Sequence, residues 1–392
     1  MAIQSFSEVT DKFNVSTTKY KCIPDETGHL QWLNVDVWLP RGESKSSMRS
    51  SRHHQGHPVL VFIHGGGLVT GHRAFHPFIN GWLPGFAQAH DAIVVSPDYR
   101  LLPESTGQDV LEDLEDFWRW LTGTGSSPPG DVSIPDDNDD QARRDVVVSF
   151  EDYVAQIVSE SPAVVHPDLS RILVSGGSAG GFCATHLALS HSSRIRSLLL
   201  QYPMVDIDSA WFREGNPAHN ADSPNSPALV LGAGPLPLDD FLAFETHAAA
   251  KRATSQIVAE GGFERLPLVS SAQYYGKWHD WIVQGQAAED GGTVKDVVVF
   301  RRMANHDVHM PRRIFVIQGT QDTAVPASSV VRFVELLKTR FSTRGAAASE
   351  VRAEYWDGLD HGFDGSPDVL DDPRLKDGLR WAADLWVGAT TD

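Results

Sequence analysis

The sequence predicts an α/β protein with a mostly parallel central sheet and helices on both faces of that sheet. Short apolar stretches without alternating polar residues recur along the chain, as expected for strands that are buried on both faces. Several of these stretches are separated by segments whose apolar residues recur at helical spacing. Because parallel strands need long crossover connections, this alternation favours a single sheet of the α/β class.

The strand predictions rest on runs of β-branched and other apolar residues. Two strands surround a DETGH turn near the start of the chain, and PVLVFI is the clearest of the buried runs. The predicted strands are residues 17–22, 30–39, 58–63, 92–96, 171–175, 196–200, 314–317 and 351–355. Helices are predicted at residues 110–121 and 144–159, after the strand at 171–175 through residue 187, and at 373–385. Polar loops are predicted at residues 41–57 and 126–140.

The whole chain, residues 1–392, is predicted to form a single domain in which residues 205–305 are a cap or lid insertion. This segment is rich in Pro, Gly and Ala, has an irregular pattern, and carries several large aromatic residues. Open α/β sheets bind ligands at the carboxyl ends of their strands, so we expect the insertion to lie over that edge. The aromatic residues are Trp211, Phe212, Phe241, Phe244, Tyr274, Tyr275, Trp278 and Trp281.

The charge balance of the chain excludes one class of partner. The 33 basic and 51 acidic residues give a formal net charge of −18 without a basic stripe, so a nucleic acid would be repelled. The N-terminal stretch has no apolar core of a secretory signal, and no run reaches the roughly 18 apolar residues of a membrane span. The two cysteines, Cys22 and Cys183, match no metal spacing. We therefore expect a soluble, cytoplasmic protein, whose oligomeric state the sequence leaves open.

The strongest chemical signal is the segment Gly176-Gly177-Ser178-Ala179-Gly180. A nucleophilic serine at a strand-to-helix turn must expose its hydroxyl on a strained backbone, and small residues two positions away let strand and helix pass closely. The run RILVS precedes the segment and the apolar stretch FCATHLAL follows it. This context favours Ser178 as a nucleophile over a simple glycine-rich turn.

A second signal is the segment His64-Gly65-Gly66-Gly67, which directly follows the predicted strand at 58–63. Acyl transfer builds negative charge on a carbonyl oxygen, and backbone N–H groups must approach that oxygen closely. Glycines permit this approach, so the segment indicates an oxyanion-binding loop rather than a flexible turn.

An acid and a base follow the last two predicted strands. Asp322 lies in the segment GTQD after the strand IFVI, and His361 lies in the segment DHGF after the final strand. A carboxylate can orient a histidine and stabilise its imidazolium, and the chain order Ser178, Asp322, His361 is that of α/β-hydrolases. Asp360 is disfavoured as the acid because side chains of adjacent residues rarely reach the required hydrogen bond.

Other polar groups are interpreted as structural or solvated. Asp98 and Glu104 lie near Arg100 in the sequence and are predicted to form structural ion pairs. His306 and His309, in the segment HDVH, lack the further ligands that a metal site needs. Neither a metal nor an organic cofactor is predicted.

The ordered motifs HGGG, PDYRLLPE, GGSAGG and the Asp and His segments resemble the hormone-sensitive-lipase group of α/β-hydrolases, which includes carboxylesterases and lipases. The resemblance covers the chain from residue 58 onward and is loose over residues 205–305. It implies the α/β-hydrolase fold, with a cap formed by the insertion and the N-terminal segment.

The resemblance also implies roles for individual residues. The backbone N–H groups of Gly66, Gly67 and Ala179 would form the oxyanion hole, and His64 would support the loop structurally. The chain departs from the family pattern at two positions. Gly177 stands where the family often has Asp, and Leu68 stands where an aromatic residue is common. Both differences alter the pocket without removing a catalytic group.

This reading implies hydrolysis of a small or medium apolar carboxylic ester through an acyl-enzyme on Ser178. One alternative keeps the triad but resolves the acyl-enzyme with another nucleophile, as in an acyltransferase or a lactone-forming or cyclising enzyme. The acidic loop and the histidine-rich linker resemble those of fungal hydrolases of secondary-metabolite pathways, which fits this alternative. A second alternative is a non-catalytic small-molecule receptor. Receptors of this type lose the histidine, whereas His361 is present.

Overall fold

The computed structural model describes residues 7–41, 56–124, 147–159, 165–215, 232–284, 296–342 and 348–388. The predicted loop at 126–140, most of the loop at 41–57 and the start of the predicted helix at 144–159 lie outside these ranges.

The described strands form one eight-stranded sheet with the order β1-β2-β4-β3-β5-β6-β7-β8. All eight predicted strands are present, with bounds that differ from the predictions by a few residues. The pairs of β2 with β1 and with β4 are antiparallel, and the other pairs are parallel. The strands are β1 (Phe13–Pro24), β2 (Leu30–Pro40), β3 (His57–Ile63), β4 (Ile93–Pro97), β5 (Pro167–Gly177), β6 (Ile195–Gln201), β7 (Arg313–Gly319) and β8 (Glu350–Trp356).

Successive residues of the central strands enter two separate hydrophobic clusters. In β3, Val59 and Val61 belong to one cluster, and Leu60 and Phe62 belong to the other. A strand alternates its side chains between faces, so both faces of the sheet are covered. The continuous apolar runs in the sequence follow directly from this two-sided burial.

Helices cover both faces of the sheet, as predicted. The described α-helices are α1 (Ser7–Lys12), α2 (Leu83–Ala89), α3 (Gly107–Thr122), α4 (Phe150–Ser159), α5 (Ala179–His191), α6 (Ala210–Arg213), α7 (Leu238–Ala253), α8 (Leu266–Tyr274), α9 (Trp278–Val283), α10 (Val299–Ala304), α11 (Ala327–Phe341), α12 (Pro367–Asp371) and α13 (Pro373–Trp386). Residues of α3 and α5 belong to the cluster on one face, and residues of α2 and α13 belong to the cluster on the other.

One helix prediction needs correction at its start, and several described helices were not predicted. The helix predicted from residue 144 begins at Phe150, because the Ser149 hydroxyl accepts a hydrogen bond from the backbone of Asp152 (3.2 Å) and caps the helix there. Helices α2 and α11 are absent from the sequence prediction. Helix α11 has a clear signal, since its buried Val330, Phe333 and Val334 recur at helical spacing.

The segment 205–305 is more regular than predicted. Its described part contains the five helices α6 to α10. Helices α8 and α9 are only 9 and 6 residues long, which is too short for a clear periodic pattern in the sequence. Both helices lie against the predicted oxyanion loop: Val269 of α8 and Trp278 of α9 approach the space where a side chain would stand at Gly67.

The described N-terminal residues differ from the expectation that this segment helps to form a cap. Residues 7–12 form α1, and residues 13–24 form the edge strand β1. Val9 and Phe13 pack in the same cluster as Trp82 and Leu83, beneath one face of the sheet. The long antiparallel pairing of β1 with β2, from Phe13 to Pro24, joins this segment to the sheet.

Candidate active site

Ser178 lies at the sharp turn between β5 and α5. Its backbone has φ +57° and ψ −123°, a strained conformation for a residue with a side chain. The turn is held by hydrogen bonds from the Ser178 N–H to the Gln201 carbonyl (2.9 Å) and from the Met204 N–H to the Ser178 carbonyl (2.9 Å). A side chain at Gly176 would collide with the Gly180 carbonyl, which explains the need for glycine before the serine. The serine is half-buried and lines a cavity.

The loop after β3 presents free backbone donors beside Ser178. Gly66 and Gly67 have φ of +102° and +65°, and a side chain at Gly66 would collide with the Thr70 carbonyl. Among the described residues, the N–H groups of Gly66, Gly67 and Ala179 donate to no other protein group. Unpaired backbone donors at a buried site are unusual and mark a place where an anion or a carbonyl oxygen can bind.

His361 and Asp322 form a direct pair at the ends of β8 and β7. The His361 Nδ1–H donates to the Asp322 carboxylate at 2.8 Å from Oδ2 and 3.1 Å from Oδ1. That carboxylate also accepts from the backbone of Ala324 (2.9 Å) and Val325 (2.7 Å) and from the Gln318 amide (3.0 Å). These bonds fix the carboxylate and leave Nε2 of the imidazole for a further contact.

Asp360, the alternative acid, is occupied elsewhere. Its carboxylate accepts from the backbone N–H groups of His361 (2.7 Å) and Thr323 (2.8 Å) and from the Thr323 hydroxyl (2.9 Å). It thus shapes the loop that carries His361, while Asp322 contacts the ring.

The pKa of His361 reflects its surroundings. Burial lowers this pKa, but the carboxylates of Asp322, Asp360 and Asp364 raise it by more, so the pKa lies above the usual 6.5. A carboxylate hydrogen-bonded to Nδ1 stabilises the imidazolium form, as a general base requires.

His64 lies behind the oxyanion loop and is fully buried. Its ring stacks on Tyr99 with 4.2 Å between ring centroids, and its Nδ1 is 2.9 Å from the Gly65 carbonyl. Burial lowers the pKa of His64 to about 3, so the imidazole is neutral at neutral pH. The Tyr99 hydroxyl donates to the His64 carbonyl at 3.0 Å, which anchors the start of the loop.

One cavity brings together Ser178 at the end of β5, His361 after β8 and the glycine loop after β3. Ser178, His361, Gly66 and Gly67 all line it, whereas Asp322 lies behind His361 with a fully buried side chain. Its walls are mostly apolar. The lining residues are Gly65, Gly66, Gly67, His76, Pro77, Phe78, Ile79, Asn80, Gly81, Gly177, Ser178, Tyr202, Met204, Leu266, Val269, Trp278, Ala324, Val325, His361, Gly362, Asp364 and Gly365.

Sequence reasoning missed a polar cluster at one wall of this cavity. The buried Asp364 carboxylate accepts hydrogen bonds from Asn80 Nδ2 (2.7 Å), Trp82 Nε1 (3.1 Å) and the Tyr202 hydroxyl (2.7 Å). The donors come from distant parts of the chain, so no local sequence motif indicates this cluster. The one signal was an acidic residue three positions after His361.

The predicted ion pairs form with different partners. Asp98 pairs with Arg73 (2.6 Å), and Glu104 pairs with Arg265 (2.8 Å). Arg100 binds Asp113 of α3 at 2.9 Å instead. Sequence proximity suggested Arg100 as the partner, but the turn after β4 directs the three side chains to different neighbours.

Within the described ranges, no group of three or more His, Cys, Asp or Glu residues could hold a metal ion. None of the described helices is both long and apolar enough to cross a membrane. The two cysteines, Cys22 and Cys183, are both buried, and they form no disulfide bond with each other.

Comparison with known proteins agrees with this architecture. A family model described as the alpha/beta hydrolase fold matches residues 60–227. A probable carboxylesterase M8 of a Phoma species is 40% identical over 159 residues, which cover 41% of this chain and 39% of that protein. A probable carboxylesterase clz11 of Cochliobolus lunatus is 40% identical over 114 residues, which cover 28% of this chain and 39% of the relative. The chain thus spans about two fifths of the length of these curated relatives.

Solved structures support the fold alone. A Staphylococcus aureus protein of unknown function has a TM-score of 0.52 and 15% identity, and the match covers 93% of this chain and 99% of that one. Esterase B from Lactobacillus rhamnosis also has a TM-score of 0.52 and 15% identity, with 96% and 87% covered. The eight-stranded sheet, the family match and the relatives lead to one conclusion: the chain is an α/β-hydrolase-fold protein that resembles carboxylesterases.

Proposed function

We propose that the chain hydrolyses carboxylic esters, with Ser178 as nucleophile, His361 as general base and Asp322 as the acid that orients the histidine. The observation that carries this proposal is the cavity itself. Ser178 and His361 both line it, and the Nδ1 of His361 is 2.8 Å from the Asp322 carboxylate. Two further observations support the proposal. The backbone of Ser178 is strained, and carboxylesterases are among the sequence relatives.

In the first half of the reaction, the Ser178 oxygen bonds to the ester carbonyl carbon while its proton passes to Nε2 of His361. The electron pair of the carbonyl bond moves to the carbonyl oxygen. The N–H groups of Gly66, Gly67 and Ala179, which donate to no other protein group among the described residues, then donate to that oxyanion. His361 then gives its proton to the departing alcohol, which leaves the acyl group on Ser178.

In the second half, water replaces the alcohol. His361 takes a proton from the water, whose oxygen bonds to the acyl carbon, and returns the proton to Ser178 as the carboxylic acid leaves. The positive end of α5, which begins at Ala179, favours the oxyanion in both halves.

The cavity walls favour a small or medium apolar substrate. Phe78, Leu266, Val269 and Trp278 supply apolar surface, and Trp278 also donates from Nε1 to the Gly67 carbonyl at 2.8 Å. A ligand that fills such a site gains binding energy from buried apolar area, while the few polar groups orient its reacting carbonyl. This match supports esters with short or medium acyl groups.

The test is a panel of p-nitrophenyl esters of graded acyl length, assayed with the parent, Ser178→Ala and Ser193→Ala proteins. Ser193 is exposed just beyond α5 and serves as the matched control. We expect Ser178→Ala to lose nearly all activity, with a residual rate of about 10³–10⁴ over water, and Ser193→Ala to match the parent. Equal rates for Ser178→Ala and the parent would exclude the proposed nucleophile.

A fluorophosphonate probe and product analysis complete the test. We expect the probe to label the parent and Ser193→Ala but not Ser178→Ala. The acid should be the main product even when an alcohol or amine is added. An ester or amide as the main product would instead show that the acyl-enzyme transfers its acyl group.

A further inference from the structure

Asp364 lies in the loop that follows His361 and is only 2% exposed. It sits in a short 3-10 helix, Phe363–Gly365, and lines the same cavity as His361 and Ser178. The triad proposed above does not use it. A buried carboxylate is costly unless its charge is compensated, so its presence beside the cavity calls for a physical reason.

The hydrogen-bond donors to Asp364 are all neutral. They are the Asn80 amide at 2.7 Å, the Trp82 indole at 3.1 Å and the Tyr202 hydroxyl at 2.7 Å. In the part of the chain that the structure describes, no lysine or arginine is among the main groups that act on this carboxylate. Three neutral donors stabilise the charge, but they do not cancel it.

A cation forms next to this carboxylate during the proposed reaction. The Tyr202 ring, whose hydroxyl binds Asp364, lies 4.4 Å from the His361 ring between centroids. The charge of Asp364 acts on His361 in the same direction as those of Asp322 and Asp360. Asp322 binds Nδ1 directly, whereas Asp364 is linked to the imidazole through Tyr202.

We propose that Asp364 is a positioning residue for His361, and that its buried negative charge favours the imidazolium that forms when His361 takes the proton of Ser178. This inference rests on the proposed esterase function and adds a second carboxylate to it. No atom of Asp364 reacts: the proton moves from Ser178 to His361.

The backbone of Tyr202 shows that the contact is maintained at a cost. Tyr202 has φ +37°, a left-handed conformation that is unfavourable for an aromatic residue. The hydrogen bond to Asp364 and ring contacts with His361 and Phe363 (centroids 5.9 Å apart) hold it in place. Asp364 therefore fixes one face of the imidazole through Tyr202 in addition to acting through its charge.

The experiment compares the pH dependence of kcat/KM for the parent, Asp364→Asn and Asp360→Asn. Both variants lose one negative charge near His361. Asp364 is buried, whereas Asp360 is exposed and therefore screened by water. The measured quantity is the apparent pKa of the acidic limb of the pH profile, where kcat/KM rises as His361 loses its proton. The other titratable groups that act on or contact this imidazole are the carboxylates of Asp322 and Asp360 and the Tyr202 phenol.

For Asp364→Asn, we expect the apparent pKa of this limb to fall by on the order of one pH unit. We also expect its kcat to fall about tenfold. The limb of Asp360→Asn should also fall, because this carboxylate acts on the pKa of His361 in the same direction. A purely structural role of Asp364 would lower the amount of active enzyme, counted by fluorophosphonate labelling, without moving the limb. A limb of Asp364→Asn at the parent position would overturn the inference.

Tyr202→Phe is the second variant, because Asp364→Asn has the greater risk of failing to fold. It removes the hydroxyl but keeps both the ring beside His361 and the buried charge. We expect its limb to stay within about 0.3 units of the parent. A fall of a full unit in Tyr202→Phe would show that the carboxylate charge is not what sets the limb. An inactive, unlabelled parent would refute the proposed function itself, which is a different outcome from an active parent with an unmoved limb.

Discussion

His64 and His361 are both largely buried and lie at the same edge of the sheet, yet their surroundings act on them in opposite directions. His64 follows β3, stacks on Tyr99, and has its pKa lowered to about 3. His361 follows β8, and its pKa is raised above 6.5. Both residues are histidines, so the difference between their pKa values comes from the neighbouring charges.

Burial disfavours the charged form of both rings. At His64 the neighbouring charges, on Arg73 and His72, lower the pKa further. At His361 three carboxylates outweigh the desolvation. A buried histidine is therefore held neutral in one environment, while in the other its imidazolium form is favoured, and the surrounding charges decide which.

The largest expected effect comes from removing the ring of His361. His361→Ala should lower kcat by about 10⁴-fold or more, because Ser178 loses the base that takes its proton. The measurement is steady-state hydrolysis of a p-nitrophenyl ester. His279→Ala is the matched control, since His279 also pairs with a carboxylate, Asp208 at 3.0 Å, but lies outside the cavity lining. Comparable losses in both variants would remove the distinction between His361 and other paired histidines.

The pH dependence of the parent tests the charge difference directly. Only neutral imidazole accepts the serine proton, so kcat/KM should rise with pH through an apparent pKa above 6.5 and fall about tenfold per pH unit below it. His64, with its pKa lowered to about 3, should contribute no limb near neutral pH. A limb below pH 6 in a stably folded parent would contradict the assignment of carboxylate control to His361.

Changing His64 should have a smaller effect of a different kind. His64→Phe keeps an aromatic ring on Tyr99 but removes the contact of Nδ1 with the Gly65 carbonyl. We expect kcat to fall about tenfold, because the loop that holds the oxyanion donors shifts slightly. The pH limb should stay at the parent position. A displaced limb would mean that His64 takes part in proton transfer.

The smallest expected effect concerns the contact of α9 with the glycine loop after β3. Trp278→Phe removes the hydrogen bond to the Gly67 carbonyl, and a loss of about 1 kcal/mol corresponds to a roughly fivefold lower kcat. Trp281→Phe is the control on the same helix, because its indole donates to Glu245 (2.9 Å) and does not line the cavity. Equal changes in the two variants would show a general loss of stability around α9 instead.

Much of the fold could be predicted from local patterns. The eight strands were recognisable because burial on both sheet faces requires continuous apolar runs. Helix α11 had an equally readable pattern that was overlooked, whereas α8 and α9 are too short for their periodicity to be seen. Their position is set by contacts with Gly67, far away in the sequence.

By itself, the sequence determined the strand-turn-helix around Ser178, the glycine loop at Gly66 and Gly67, and the strand ends that carry Asp322 and His361. These are local features: close backbone approach requires glycine, and strand ends are set by short apolar runs. The carboxyl ends of parallel strands lie at one edge of the sheet. Residues that directly follow these strand ends were therefore expected to form a common site.

Only the tertiary structure decided how the carboxylates around His361 are bonded, and that Asp364 is one of them. Asp322 reaches the ring, Asp360 binds the backbone, and Asp364 gathers donors from Asn80 and Tyr202. These choices depend on residues that are separated by up to 284 positions along the chain. Side-chain packing brings them together, and electrostatic effects depend on distance and burial in space, so no local pattern could reveal them.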